Sequence, residues 1–257
     1  MAKLSASYHD IDALDDAMRA AMFALFKRYY ASVSVDLFIR DLEGKTIAIL
    51  LRDADGELQG FSTLEVINFD TDNGAATALY SGDTIISHHH WGEQQLSYAW
   101  CYFAGQIKAE QPDVPLYWFL IVKGHRTYRY LPAFTRKFYP NYRETTPAHL
   151  QVIIDQLAMR KFHDVYRADA GILHFPESRG HLRPEWDELS DYITRKPHVA
   201  FFLKTNPGYP SGDELVCLTE LNDKNMRFVS RTAFIEGMDS CQDGQLSDQA
   251  SPDIATR

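Results

Sequence analysis

The stretch SGDTIISHHHWGEQQL, residues 81–96, sets three consecutive imidazoles ahead of a single glycine and a run with helical spacing. Three histidine nitrogens would suit zinc, which needs three or four converging ligands. Neighbouring residues on an extended backbone point to opposite faces, so His88, His89 and His90 do not converge on one ion. Neither an H-x-x-x-H pair nor a pair of cysteines stands by to complete a site, so no metal is expected. What remains is a turn feeding a helix. Its first backbone N–H groups lack intrahelical partners and suit an anion, with one or two imidazoles beside it. The alternative is a solvated polar turn. Other chemistries fall away on spacing: DADGEL and DTDNG read as hairpin turns rather than calcium loops, the serine of SGD is in no G-x-S-x-G elbow, and neither a Walker sequence nor G-x-G-x-x-G occurs.

Composition narrows the field further. A chain of 257 residues with 45% hydrophobic content can bury one large core or two modest ones, so an elaborated single domain is expected. With 26 Lys and Arg against 35 Asp and Glu, the net charge of −9 offers no cationic field for phosphate backbones, and nucleic acid is not an expected partner. The three cysteines Cys101, Cys217 and Cys241 are scattered and odd in number, which points to a reducing cytoplasm. No apolar leader opens the sequence and no run approaches eighteen apolar residues, so neither secretion nor a membrane span is expected.

These residues must be held by elements. Ile11, Leu14, Met18, Met22, Leu25, Phe26 and Tyr29 share one face of a helix from about Asp12 to Tyr30, with Asp10 or Asp12 as cap. After the short segment VSVDLFIRDLEGK come strands Thr46–Leu51, Leu58–Ile67 and Ala75–Ser87, joined by tight turns into an antiparallel meander. The period then becomes helical from Gly92 to Lys108, and LYWFLIV, Leu116–Val122, has the unbroken apolar character of a strand buried on both faces. Strand, helix and buried strand make a crossover, so Ala75–Ser87 and Leu116–Val122 are expected to run parallel. HRTYRYLPAFTRKFYP reads as a helix, as do Pro147–Phe162 and a shorter stretch at 184–195; HVAFFLKT and ELVCLTEL read as two strands of a long hairpin. Residues 239–257 lack a period and are expected to be disordered. The domain expected is therefore a single unit over 1–238 with a helical insertion at about 147–196.

This order resembles the GNAT superfamily of acyltransferases over roughly residues 11–139 and, in addition, the terminal hairpin. The resemblance implies an α/β (α+β) fold: a mixed, mostly antiparallel sheet with one parallel splayed strand pair, flanked by helices, with a helical C-terminal elaboration. It also implies acetyl-CoA or a longer acyl-CoA as co-substrate, or another acyl carrier. The family signature R/Q-x-x-G-x-G/A matches HHHWGEQQL in part: with Gly92 as first glycine, His89 takes the basic position and Gln94 replaces the last small residue. By that register Ile86, His89, His90, Trp91, Gly92, Glu93 and Gln94 are the cofactor-binding candidates. Losing a glycine crowds the close approach of backbone to phosphate, so a weakened site or a lost activity stays open.

Acyl transfer to an amine asks for a base, donors for the tetrahedral oxyanion, and an acid for the departing thiolate. The resemblance puts the base on strands near the gap, where Glu65 and Asp83 lie; the alternatives are a solvent-facing strand residue for Glu65 and a bulge or turn former for Asp83. It puts the acid on the helix after the buried strand, where Tyr128 and Tyr130 lie, and only one of them can face the gap. His125 and Arg126 begin that helix and could contact phosphate. The aromatic runs SYAWCYF and LYWFLIV line either an acyl pocket or the core. The function implied is N-acyl transfer to a small-molecule amine or amino-acid acceptor, with a homodimer compatible. The alternative is a GNAT-shaped binding or scaffold protein with a degenerate cofactor site.

Overall fold

The computed structural model describes residues 4–176, 179–186 and 189–242. In chain order it runs β1 (Ser5–Asp10), α1 (Asp16–Tyr29), β2 (Tyr30–Ala31), α2 (Val35–Glu43), β3 (Ile47–Arg52), β4 (Leu58–Thr71), β5 (Gly74–Ile86), α3 (Gln95–Glu110), β6 (Leu116–Val122), α4 (His125–Tyr128) and α5 (Tyr130–Phe134). There follow α6 (Ala148–Phe162), β7 (Tyr166–Arg167), β8 (Ile172–Leu173), β9 (His181–Leu182), α7 (Asp191–Thr194), α8 (Pro197–Thr205), β10 (Glu214–Glu220) and α9 (Phe228–Gln242). Among these no helix is long and apolar enough to cross a membrane.

Eight strands form one sheet in the order β1-β3-β4-β5-β6-β10-β8-β7, and β2 pairs separately with β9. Every neighbouring pair is antiparallel except β5 and β6, which run parallel from Thr77↔Leu116 to Ser81↔Leu120. Beyond Ser81 they part: β5 stays with β4 as far as Ile86↔Gly60, while Ile121 and Val122 of β6 pair only with β10. The register between β4 and β5 steps from Leu64↔Ser81 to Ser62↔Thr84, so β5 carries one extra residue at Gly82–Asp83. Such a bulge bends a strand and strengthens its twist, which turns β5 away from β6. At the last paired residue the buried Ser81 Oγ accepts hydrogen bonds from the indoles of Trp100, at 3.2 Å, and Trp118, at 2.8 Å.

One face of the sheet is covered by α3, α4, α5, α8 and α9 around Leu79, Trp100, Trp118, Leu120 and Phe134. The other packs α6 against Ala78, Tyr80 and Phe119, and α1 with α2 against Leu50, Phe61 and Ile85. Helices α3 and α9 touch backbone to backbone: a Cβ on Gly105 would meet the Phe234 carbonyl oxygen at 2.0 Å, and one on Gly237 would meet that of Tyr102 at 2.0 Å. SYAWCYF and LYWFLIV are mainly core, with Ser97, Tyr98 and Cys101 of the first and Ile121 of the second reaching cavity walls.

Several elements differ from the sequence reading. HVAFFLKT is the helix α8, with Pro197 in its first turn and Val199 and Phe202 buried three apart; a short apolar run does not distinguish strand from helix by period alone. β10 accordingly lies between β6 and β8. VSVDLFIRDLEGK contains α2, capped by Ser34 and anchored by Phe38 and Leu42, and the first residues form the edge strand β1. Asp15 caps α1. The helix expected after β6 breaks into α4 and α5, after which Thr135 and Tyr139 bridge to Met226 and Leu218. The C-terminal elaboration holds three two-residue strands as well as helices and continues to Thr205. α9 extends to Gln242, so residues 239–242 of the expected tail are helical, and 243–257 lie outside the described residues.

Replacing Ser81 with Ala removes the acceptor of two buried indole N–H groups. The expected cost is about 2 kcal/mol of unfolding free energy, measured by urea titration. A loss under about 0.5 kcal/mol would show that the indoles find other acceptors.

Candidate functional site

Two cavities open where β5 and β6 part. The larger, about 1200 Å³, lies on the α3 side and is walled by the turn before α3, by α4 and α5, and by Tyr29, Leu182 and Trp186. The smaller, about 100 Å³, lies on the α2 and α6 side, between Phe38, Asp83, Phe162 and Glu214. Tyr30, Thr84, Lys123 and Thr127 line both, so the gap between the strands is where the two meet.

The histidine run is a single turn of 3₁₀ helix, His88–His90, that carries the chain from β5 to α3. The His88 N–H donates to Tyr29 Oη at 2.7 Å, and its ring lies tilted against Trp186 with centroids 5.0 Å apart. His90 Nδ1 meets Glu93 Oε1 at 2.7 Å, and His89 is exposed. Neither His89 nor His90 lines the larger cavity; Ile86, Trp91, Gly92, Glu93 and Gln94 do. Among the described residues no three His, Cys, Asp or Glu side chains gather as metal ligands. His88, against Tyr29 and Trp186, and His90, against Glu93, brace the turn.

The turn leaves the start of α3 open to the cavity. Gly92 has φ +100°, a left-handed conformation that favours glycine, and a Cβ there would meet nothing within 4 Å. Gln94, at the position where the family pattern has a small residue, has φ −98° and ψ 2°, which any residue adopts. Its side chain does not cap the helix. The first N–H groups of α3 lack intrahelical partners and carry the positive end of the helix dipole. Across the cavity stand Arg126, whose guanidinium lies 4.2 Å over the Trp91 ring, and Arg129. His125 is buried at 3% exposure and its Nδ1 has no partner. Burial first, then Arg126 and Arg129, push its pKa down to about 4, so its ring is neutral near pH 7.

The catalytic candidates separate sharply. Tyr128 is locked in the core: its hydroxyl donates to the Pro140 carbonyl at 2.7 Å and its ring packs among Phe138, Phe201 and Phe202. It touches neither cavity, and burial raises its pKa further. Tyr130, two residues on and past the break at Arg129, lines the larger cavity beside Phe134. Glu65 is ion-paired to Lys161 and lines neither cavity. Asp83 lines the smaller one; the bulge that holds it is what aims it there.

Asp83 sits in a cluster that the sequence does not reveal. Lys123 Nζ lies 3.4 Å from Glu214 Oε1 and 5.7 Å from the centre of the Tyr30 ring. Burial and then Asp41 push the Asp83 carboxyl up to about 6, with Lys123 and Lys45 opposing. Burial works against the charge on Lys123, but Glu214, Asp83 and Tyr30 outweigh it and hold its pKa above the usual lysine value. Tyr30 is pushed up to about 12 by burial, with Lys123 opposing. Lys123, Glu214 and Tyr30 come from three distant segments, so no local spacing announces them. Arg129 and Trp186 also went unread.

No protein-family model and no curated protein matches this sequence. Among solved structures, it resembles a GNAT family N-acetyltransferase (YhbS) from Escherichia coli in complex with CoA at 15% identity and TM-score 0.35, over 52% of this chain and 73% of that one. A conserved protein from Enterococcus faecalis described as a probable N-acyltransferase matches at 9% identity and TM-score 0.40, over 85% and 66%. An acyl-CoA N-acyltransferase from Pseudomonas aeruginosa matches at 19% identity and TM-score 0.37, over 55% and 94%.

Because Asp83 binds its proton more tightly folded than unfolded, its ionisation erodes stability as pH rises from the usual Asp range to about 6. Asp83→Asn is expected to exceed the parent by about 1 kcal/mol at pH 8, with that gain fading below about pH 4, in urea titrations at each pH.

Proposed function

We propose that the chain is a divergent GNAT-type N-acyltransferase, passing an acyl group from an acyl-CoA thioester to an amine across the gap between β5 and β6. The observation that carries this is the meeting of two cavities from opposite faces of the sheet at the point where its parallel pair diverges. A sheet zipped along its whole length would keep two reactants apart.

The larger cavity fits the diphosphate-bearing partner. Unpaired N–H groups at the start of α3, the backbone at Gly92, and Arg126 and Arg129 opposite them would hold its phosphates. The substitution at Gln94 does not close this cradle, because the backbone there needs no glycine. That favours an intact site over a degenerate scaffold. Acyl-CoA supplies an activated carbonyl with a thiolate leaving group.

In the step we infer, Asp83 takes a proton from the acceptor ammonium, and the amine nitrogen then attacks the thioester carbonyl. The C–N bond forms, the C–S bond breaks, and the thiolate leaves with a proton from Tyr130. The second proton that the nitrogen sheds on becoming an amide returns through solvent to the Tyr130 phenolate, and Asp83 passes its proton to water. Beyond Ser81, backbone N–H groups that β5 turns toward the gap have no β6 partner and can donate to the oxyanion. An Asp83 pKa near 6 suits a base ionised at neutral pH that still retains some proton affinity.

Two measurements test this. CoA or acetyl-CoA at a hundred times its Kd should stabilise the protein by about 2.7 kcal/mol in thermal unfolding, and Gly92→Val should abolish most of that gain. No response to any acyl-CoA, short or long, would overturn the reading. In acyl-transfer assays kcat/KM should rise with pH through about 6, and Asp83→Asn should lower it by roughly 10²–10⁴-fold.

A further inference from the structure

The charges around the smaller cavity do not balance locally, and the imbalance has a direction. Three carboxylates line it, Asp41, Asp83 and Glu214, with two cations, Lys123 and Arg179. Asp41 is bonded to Lys45 at 2.6 Å and Glu214 to Lys123 at 3.4 Å. On the α6 side Lys161 is engaged by Glu65. Among the described residues, that leaves Asp83 and Arg179 without an ion-pair partner within 4 Å. Asp83 is on the floor, on the bulge beside the strand gap; Arg179 is exposed at the rim, its guanidinium 4.8 Å over the Phe175 ring.

A carboxylate at the floor and a guanidinium at the rim of one small cavity make the complement of a zwitterion. On the acyl-transfer reading, on which this rests, we propose that the acceptor is a small amino acid. Its ammonium enters first against Asp83 and its carboxylate stays at the mouth on Arg179, where a planar fork suits bidentate pairing. A plain amine would satisfy Asp83 and leave Arg179 unused. A plain carboxylate would meet Asp83, Glu214 and Asp41 and be repelled. The ammonium also supplies a partner for Asp83, the one carboxylate of the cavity that no described cation meets within 4 Å, Lys123 being bonded to Glu214 and Lys45 to Asp41. The order of entry places the nitrogen at the gap, where Tyr30, Thr84, Lys123 and Thr127 line both cavities.

The test is calorimetric titration at pH 7 with L-alanine, L-alaninamide and propionate, with and without CoA. L-alanine should bind at least tenfold more tightly than L-alaninamide, and propionate should not bind. Arg179→Gln should weaken L-alanine to the level of L-alaninamide and leave L-alaninamide unchanged, a split that loss of folding would not produce. Asp83→Asn should weaken both. Equal binding of L-alanine and L-alaninamide, a preference that survives Arg179→Gln, or no binding of L-alanine to folded protein in either condition would each overturn the proposal. If the binding pattern holds but acetyl-CoA transfers nothing to L-alanine, the catalytic reading fails alone. If transfer runs equally well to amines lacking a carboxylate, the zwitterion proposal fails alone.

Discussion

Both cavities of this structure depend on two strands ceasing to pair. β5 and β6 share five residue pairs and then diverge, and divergence inside a sheet leaves backbone groups that must find other partners or a ligand. Two features hold the branch point. The extra residue at Gly82–Asp83 bends β5 away, and Ser81 Oγ pins Trp100 and Trp118 beneath the last paired rung. β10 pairs with the opposite edge of β6 along Tyr117–Val122 and holds that strand straight, so only the edge of β6 that faces β5 is left open past Leu120.

The gap gathers ionisable groups that a core would reject. Asp41–Lys45 and Glu65–Lys161 are ordinary pairs whose charges cancel. Asp83, Glu214 and Lys123 do not cancel, and burial raises the proton affinity of both carboxylates. Buried charge left uncompensated lowers stability, and strained or uncompensated groups concentrate at functional sites. Here Asp83 at the floor and Arg179 at the rim remain without ion-pair partners among the described residues, the separation of charge on which the zwitterion proposal rests.

The C-terminal elaboration shapes the larger cavity from outside the core sheet. β9 pairs with β2, and Trp186, four residues after the pair ends, packs against Tyr29, His88 and Trp91, with its indole donating to the Arg28 carbonyl. Trp91 itself donates to the Ile86 carbonyl and is 44% exposed. These aromatic rings form one wall of the cavity and tie the His88–His90 turn to α1. His88 and His90 therefore fix the turn that leaves the start of α3 uncovered.

Much of the architecture was legible because it is local. The meander, the crossover and the glycine turn are written in alternation, in a change of period, and in one residue whose backbone needs the left-handed region. Short apolar runs misled: HVAFFLKT satisfies either period, and α8 is a helix because its neighbours bury Val199 and Phe202 on one side. Residue types alone also left Tyr128 and Tyr130 equivalent, as they left Glu65 and Asp83. Only packing decided that Tyr128 spends its hydroxyl on Pro140, that Glu65 spends its charge on Lys161, and that a bulge turns Asp83 toward the gap. Lys123, Glu214 and Tyr30 are brought together from positions far apart in the chain. Sequence by itself determined the long alternating strands, the turns and the crossover, since those rest on neighbours a few residues away, whereas short apolar runs such as HVAFFLKT took their form from packing. Tertiary structure alone decides which charges share a cavity, because electrostatic coupling acts through space between residues that the chain order keeps apart.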